Sequence, residues 1–248
     1  MTELIADLPP GALYTFTALL LAHALADFTF QTGWMVRHKR NPLMLGLQIL
    51  IVFAFSTAAL GGVWQVGLMV ALFHLIIDAV KVWALPPHLQ QTLKAFVWDQ
   101  IAHIATIGLA ALWWPLAAVQ GTWGPYLALA HAPAVLLSGT ILTVWAGGFA
   151  VGQLTRRFQS RIEDDSLPEA GMLIGQLERS LILILVLIQQ PAGIGFLIAA
   201  KSILRFDTAA QGQKAGEYVI IGTLASFAWA LALSYATLAL LRAGSALP

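Results

Sequence analysis

Three aspartates stand inside the hydrophobic stretches of this chain, and each has a histidine four residues away: His23 with Asp27, His74 with Asp78, and Asp99 with His103. Residues at that spacing lie on one face of a helix, about one turn apart. Ionisable groups inside a bilayer are costly, so they pair and face a protein interior or a water-filled cavity. Histidine and carboxylate are also ligand types that divalent metals favour. Three such pairs on three helices predict one shared polar site, with His23, Asp27, His74, Asp78, Asp99 and His103 as candidate metal ligands.

The chemistry follows from the donor set. Mixed nitrogen and oxygen ligands without sulfur make zinc the first expectation and manganese or iron the second. Three or four of the six residues would bind metal. A remaining carboxylate, Asp99 or Asp78, would act as general base toward a metal-bound water whose pKa is lowered to about 7. Lys81, one turn from Asp78, offsets one of the three negative charges and would stabilise a developing oxyanion or hold a phosphate. The residual charge suits one divalent cation, or two joined by a hydroxide or phosphate. Gln31, four residues after Asp27, and Gln100, beside Asp99, are placed to support a ligand from behind. The chain has no His-Glu-x-x-His zinc-protease motif.

The elements that position these residues are read from composition. The chain has 248 residues, 59% of them hydrophobic and 10% charged. Soluble domains carry about 25% charged residues. With a mean hydropathy of +0.79, this is the composition of a polytopic membrane protein. The absence of cysteine excludes disulfides and thiolate-ligated zinc or iron–sulfur sites. No basic stretch precedes the first apolar run, so no cleavable signal peptide is expected, and nothing points to nucleic acid as a partner.

Eight apolar segments are predicted, most near the roughly 20 residues a spanning helix needs. They run over Leu13–Val36, Leu43–Leu60, Val63–Leu85, Ala95–Val119, Pro133–Leu154, Met172–Gln189, Pro191–Phe206 and Glu217–Leu241. The expected fold is an all-α transmembrane bundle of about eight helices in one domain over residues 1–248, with the polar site in an N-terminal half (13–120) and a C-terminal half at 133–241. The sixth and seventh segments meet at Gln189-Gln190-Pro191. A tight hairpin is expected there, because proline disfavours helix in the residue before it; a kinked or re-entrant pair is the alternative.

Basic residues orient the bundle, since short cytoplasmic loops are rich in Lys and Arg. Of 13 basic residues, only Arg242 falls on the other side of an eight-span layout. Both termini are therefore expected outside the cytoplasm. A rise of about 1.5 Å per residue puts all three pairs in the cytoplasmic half of the membrane, with the histidines deeper and the aspartates nearer the cytoplasm. The loop Arg156–Ala170 passes from basic (Arg156, Arg157, Arg161) to acidic (Glu163, Asp164, Asp165) and reads as a solvated connection.

A second polar cluster is expected in the C-terminal half: Glu178, Arg179, Lys201, Arg205 and Glu217. It reads as a salt-bridged network that fixes helix packing, or as a basic recess for a phosphate or lipid headgroup. Gly147, Gly148 and Gly152, and Gly222 with Thr223 and Ser226, read as small faces for close packing. Trp113 and Trp114 fit an interfacial belt, Trp98 beside Asp99 fits the core or the site wall, and His38, His88 and His131 are expected in solvated loops.

At these residues the chain resembles a bacterial polytopic membrane family of unknown function. The matching strings are His23-Ala-Leu-Ala-Asp27-Phe with Gln31, His74-Leu-Ile-Ile-Asp78 with Lys81, and Asp99-Gln100-Ile-Ala-His103. In the C-terminal half they are Gly175-Gln-Leu-Glu178-Arg179, Ala199-Ala-Lys201-Ser-Ile-Leu-Arg205-Phe206 and Glu217-Tyr218-Val-Ile-Ile-Gly222-Thr223-Leu. The resemblance implies a bacterial inner-membrane location and brings no activity with it. A more distant likeness is to membrane-bound metal-dependent hydrolases, which also place His and Asp on transmembrane helices.

The leading expectation is a membrane-embedded metal-dependent hydrolase acting on a lipid or lipid-linked substrate from the cytoplasmic leaflet. A proton- or ion-coupled transporter would use the same groups as reversible binding sites. A non-catalytic scaffold subunit would use them only as hydrogen-bonded pairs. The oligomeric state is left open.

Overall fold

The computed structural model describes residues 9–159, 170–204 and 213–245, and among these every regular element is a helix. Seven helices are long and apolar enough to cross a membrane, and Ala192–Ile203 is a shorter apolar helix. The chain is a multi-pass membrane protein with a helical-bundle fold. Its contacts divide into two compact units: residues 1–141 with 239–248, and residues 142–238.

The first unit contains α1 (Ala12–Leu25), α2 (Gly33–Arg37), α3 (Pro42–Ala59), α4 (Trp64–Ala79), α5 (Pro87–Gln90), α6 (Leu93–Trp113), α7 (Ala117–Gln120) and α8 (Leu127–Thr140). Helix α1 packs against α3, α6 and α8, while α4 packs against α3 and α6. The apolar core between them includes Leu19, Val52, Val70, Ala71 and Ile107.

Local chemistry sets the ends of these helices. Thr32, Asn41 and Thr92 cap α2, α3 and α6 by accepting from the backbone N–H of Met35, Leu43 and Ala95. Pro42 follows Asn41 at the first helical position, where its missing N–H costs nothing. Helix α3 stops at Gly61, whose φ of +66° lets its N–H reach back to Ala58 and that of Gly62 reach Thr57. Gly61 then accepts from Thr122 N, 3.0 Å away. A Cβ on Gly121 would run into the Leu60 carbonyl, so glycine is what lets these two turns touch.

Two helices widen next to the polar residues. Helix α1 continues as a π-turn over Ala26–Phe30, and α4 as another over Val80–Ala84. The first predicted segment, drawn as continuous to Val36, breaks at Gln31, whose backbone is extended, before Thr32 restarts a helix. The fourth segment ends at Trp113, just before Pro115, rather than at Val119. The fifth begins at Leu127 and carries Pro133 inside it, a residue that helices in membranes tolerate.

The second unit contains a π-turn over Ile141–Ala146, which begins in the first unit, then α9 (Gly147–Gln159), α10 (Ala170–Leu187), α11 (Ala192–Leu204) and most of α12 (Gln213–Ser245). Its core joins Ile182, Val186, Ile194, Phe227 and Ala230. Helix α10 ends in a tight turn at Gln189, with φ of +58°, where Gln190 N bonds Leu185 O and Gln189 N bonds Val186 O. This is the hairpin expected at Gln189-Gln190-Pro191.

Candidate metal centre

The three pairs come together in the first unit. The imidazoles of His74 and His103 stack with centroids 4.0 Å apart and planes within 8°. His23 lies 5.2 Å from His103 and 6.0 Å from His74, centroid to centroid. All three rings are buried, and so are the Asp78 and Asp99 side chains; the Asp27 side chain is 7% exposed.

Each carboxylate is held from one side. Lys39 Nζ donates to Asp78 Oδ1 at 2.7 Å. Lys81 Nζ sits 2.9 Å from Asp99 Oδ2. Gln48 Nε2 donates to Asp27 Oδ1 at 3.0 Å. The other oxygens of Asp78 and Asp99 face the cluster: Asp78 Oδ2 is 3.4 Å from His74 Nε2, and Asp99 Oδ1 is 3.9 Å from His103 Nε2. None of these four inward atoms has a hydrogen-bond partner, although all four are buried. Buried polar atoms are ordinarily bonded, and four such orphans on ligand-type side chains mark a place that could hold a cation. Two overlapping sets have ligand atoms within 4.8 Å of one another: His23, Asp27 and His74; and His74, Asp78 and His103.

Gln100 fixes the state of His23. Asp99, paired with Lys81, can only accept, so the Gln100 amide turns its NH2 toward it, with Nε2 3.2 Å from Asp99 Oδ2. Gln100 Oε1 then faces His23 Nε2 at 3.1 Å, so that nitrogen carries the proton. The His23 Nδ1 lone pair is left pointing toward Asp27 Oδ2, 3.9 Å away. A lone pair opposite a carboxylate is repulsive, and a second ring proton or a metal ion between the two would bind both.

The charges nearly cancel. Three carboxylates face two ammonium groups, which leaves −1 when the imidazoles are neutral. Burial opposes the charge on Lys39, but the carboxylates of Asp78, Asp27 and Asp99 outweigh it and raise the Lys39 pKa above its ordinary 10.5. Lys39 therefore stays an ammonium at physiological pH. A cavity of ≈ 10 Å³ adjoins the rings, lined by His23, His74 and His103 with Ser56 and Thr106. That is about the room one water needs.

Several sequence-based expectations change. Lys81 pairs with Asp99 rather than Asp78. The π-turn after Ala79 breaks the α-helical phase that would have set Lys81 over Asp78, and Lys39 takes that place. Gln31 lies beyond the break in α1 with its Nε2 buried and unbonded, and Gln48 supports Asp27 instead. Lys39 was readable only as a loop cation; nothing in its spacing points across 39 residues to Asp78. Gln48 did carry a signal, as a polar residue inside an apolar segment. Trp98 is 69% exposed and turns away from the site. His131 is buried in α8, bonded to Leu240 O and edge-on to Tyr14, not in a solvated loop. His38 and His88 are exposed.

The second cluster resolves differently. Lys201 Nζ lies 2.6 Å from Glu178 Oε2. Arg179 is buried, with Nε bonded to Val144 O and Nη1 to Ser226 Oγ. Val144 lies in a π-turn, which leaves carbonyls unpaired along the helix, and Trp229 Nε1 bonds a second one, Leu142 O. Gly147, read as a helix-packing face, makes room for these side chains: a Cβ there would lie 2.7 Å from Trp229 Cδ1 and 2.8 Å from Arg179 Cδ. Gly152 has nothing within 4 Å, and Gly222 makes only an ordinary contact with Thr155. Glu217 is exposed. Arg205, Arg161, Glu163, Asp164 and Asp165 lie outside the described residues, as do the side chains of Arg157 and Lys214.

No curated protein and no solved structure matches the chain. Residues 15–127, which hold all three His/Asp pairs together with Lys39, Gln48 and Lys81, match the family described as "Protein of unknown function (DUF3307)".

Proposed function

We propose that this protein is a membrane-embedded metal-dependent hydrolase of the bacterial cytoplasmic membrane. The observation that carries the reading is that His23, Asp27 and His74 bring ligand atoms within 4.8 Å of one another, with His74 Nε2 buried and unbonded. His23, Asp27 and His74 would hold one divalent cation, zinc first and manganese or iron next. Two histidines and a carboxylate with a fourth position open to water is the ligand pattern of catalytic zinc. The adjoining cavity has room for that water. One divalent cation with one hydroxide carries +1, which balances the −1 of the cluster.

Asp78 and Asp99 each have one oxygen paired with a lysine and neither lines the cavity, so the base role is assigned to His103. This residue lines the cavity, and its Nε2 has no hydrogen-bond partner. Lys39 and Lys81, with side chains 15% and 23% exposed, stand at the outer edge of the carboxylate layer. They suit an anionic group on the substrate, and a lipid or lipid-linked substrate from the cytoplasmic leaflet fits that side of the site. The bias of basic residues supports placing this side in the cytoplasm and both termini outside it.

Elemental analysis of detergent-purified protein tests the reading. Wild type should carry about one metal ion per chain, and His74→Ala and Asp27→Asn should carry none while staying monodisperse. Wild type that remains metal-free after zinc supplementation overturns it.

A further inference from the structure

Three of the buried atoms without a hydrogen-bond partner are His74 Nε2, Asp78 Oδ2 and His103 Nε2. They belong to the second of the two sets whose ligand atoms lie within 4.8 Å of one another. Two imidazoles and a carboxylate are the same donor types that His23, Asp27 and His74 offer. The two sets share His74, whose Nε2 is about equally far from both carboxylates, 3.5 Å from Asp27 Oδ1 and 3.4 Å from Asp78 Oδ2. That nitrogen has one lone pair and serves one cation at a time.

The group behind each carboxylate separates the two positions. Asp27 has a neutral amide, Gln48. Asp78 has an ammonium, Lys39, 2.7 Å from Oδ1. A dication on Asp78 Oδ2 would face that ammonium across a single carboxylate, and like charges so close in a buried site repel strongly. A dication on Asp27 meets no such neighbour.

We propose that His74, Asp78 and His103 form an alternative position for the same ion, and that Lys39 keeps the ion out of it. The inference rests on the ion binding at His23, Asp27 and His74. Its consequence is chemical. In the alternative position His103 becomes a ligand and is lost as the base. Its ring and that of His74, now stacked within 8°, would tilt apart to aim both lone pairs at one ion. Lys39 belongs to the connection between α2 and α3, outside the spanning helices, and reaches inward to Asp78. It thus holds the metal where His103 stays free.

The test counts zinc bound to the full-length protein in detergent, with zinc alone as the probe and circular dichroism to show that each variant is folded. Wild type and Lys39→Met should each bind one zinc per chain, and Asp27→Asn none. Lys39→Met with Asp27→Asn should bind one again, through His74, Asp78 and His103. Adding His103→Ala, which changes no carboxylate or lysine, should abolish it. Lys81→Met with Asp27→Asn removes the same charge but leaves Lys39 on Asp78, so it should bind none. If the Lys39→Met variants do not fold, Lys39→Gln, which keeps a donor toward Asp78, carries the same expectations. A folded Lys39→Met, Asp27→Asn protein without zinc overturns this inference and leaves the hydrolase reading standing. So does zinc in the Lys81 control, or two zinc ions in Lys39→Met. No zinc in wild type overturns the hydrolase reading itself.

Discussion

Gln100 decides which nitrogen of His23 is free, and it does so from a helix remote in sequence. Its amide is locked by Asp99, which is locked in turn by Lys81. Gln100→Leu removes the acceptor for His23 Nε2–H and lets the ring change tautomer or rotate. Zinc affinity should fall by roughly 10–100-fold, the usual cost of losing such support, while the fold survives. Competition against a zinc-binding dye checks this, and unchanged affinity would remove Gln100 from the account. The residues that titrate were legible in the sequence because the four-residue spacing is a local signal. Lys39 and Gln48 were not placed, because they reach their partners across the fold. A contact made by tertiary packing leaves no mark in the spacing of its residues.

Helices were legible too, as apolar lengths, but their defects were not. The π-turns at Ala26–Phe30 and Val80–Ala84 follow no composition rule, yet they decide that Gln31 leaves the site and that Lys81 meets Asp99. In the second unit the π-turn at Ile141–Ala146 is held by Arg179 and Trp229. Arg179→Met should strand the buried Val144 carbonyl and cost about 1–3 kcal/mol, seen as a lower melting temperature with zinc content unchanged. The glycine contact at Gly61 and Gly121 has its own test. Gly121→Ala sets a methyl group against the Leu60 carbonyl, where neither backbone can give way. It should lower thermal stability by more than Gly46→Ala, whose Cβ meets nothing within 4 Å. Equal effects would show that the two turns are not tightly joined.

Among the described residues, the apolar segments predicted from composition recur as seven long helices and one short one. The family match covers residues 15–127 and so leaves the C-terminal strings outside it. Reporter fusions after Arg40 and after Arg161 should both report cytoplasm; opposite results would mean an odd number of crossings between them. Among the described residues of the first unit, the three acids are all folded inward, while Arg37, Arg40 and Lys94 are exposed. Among the described residues, the turn bearing Lys39 exposes Arg37 and Arg40 and no acid. Anionic phospholipids gather at such a face, at about 1 kcal/mol for each basic residue near the surface. Lys39 is the basic residue of that turn folded inward, so its pairing with Asp78 withholds one positive charge from the surface.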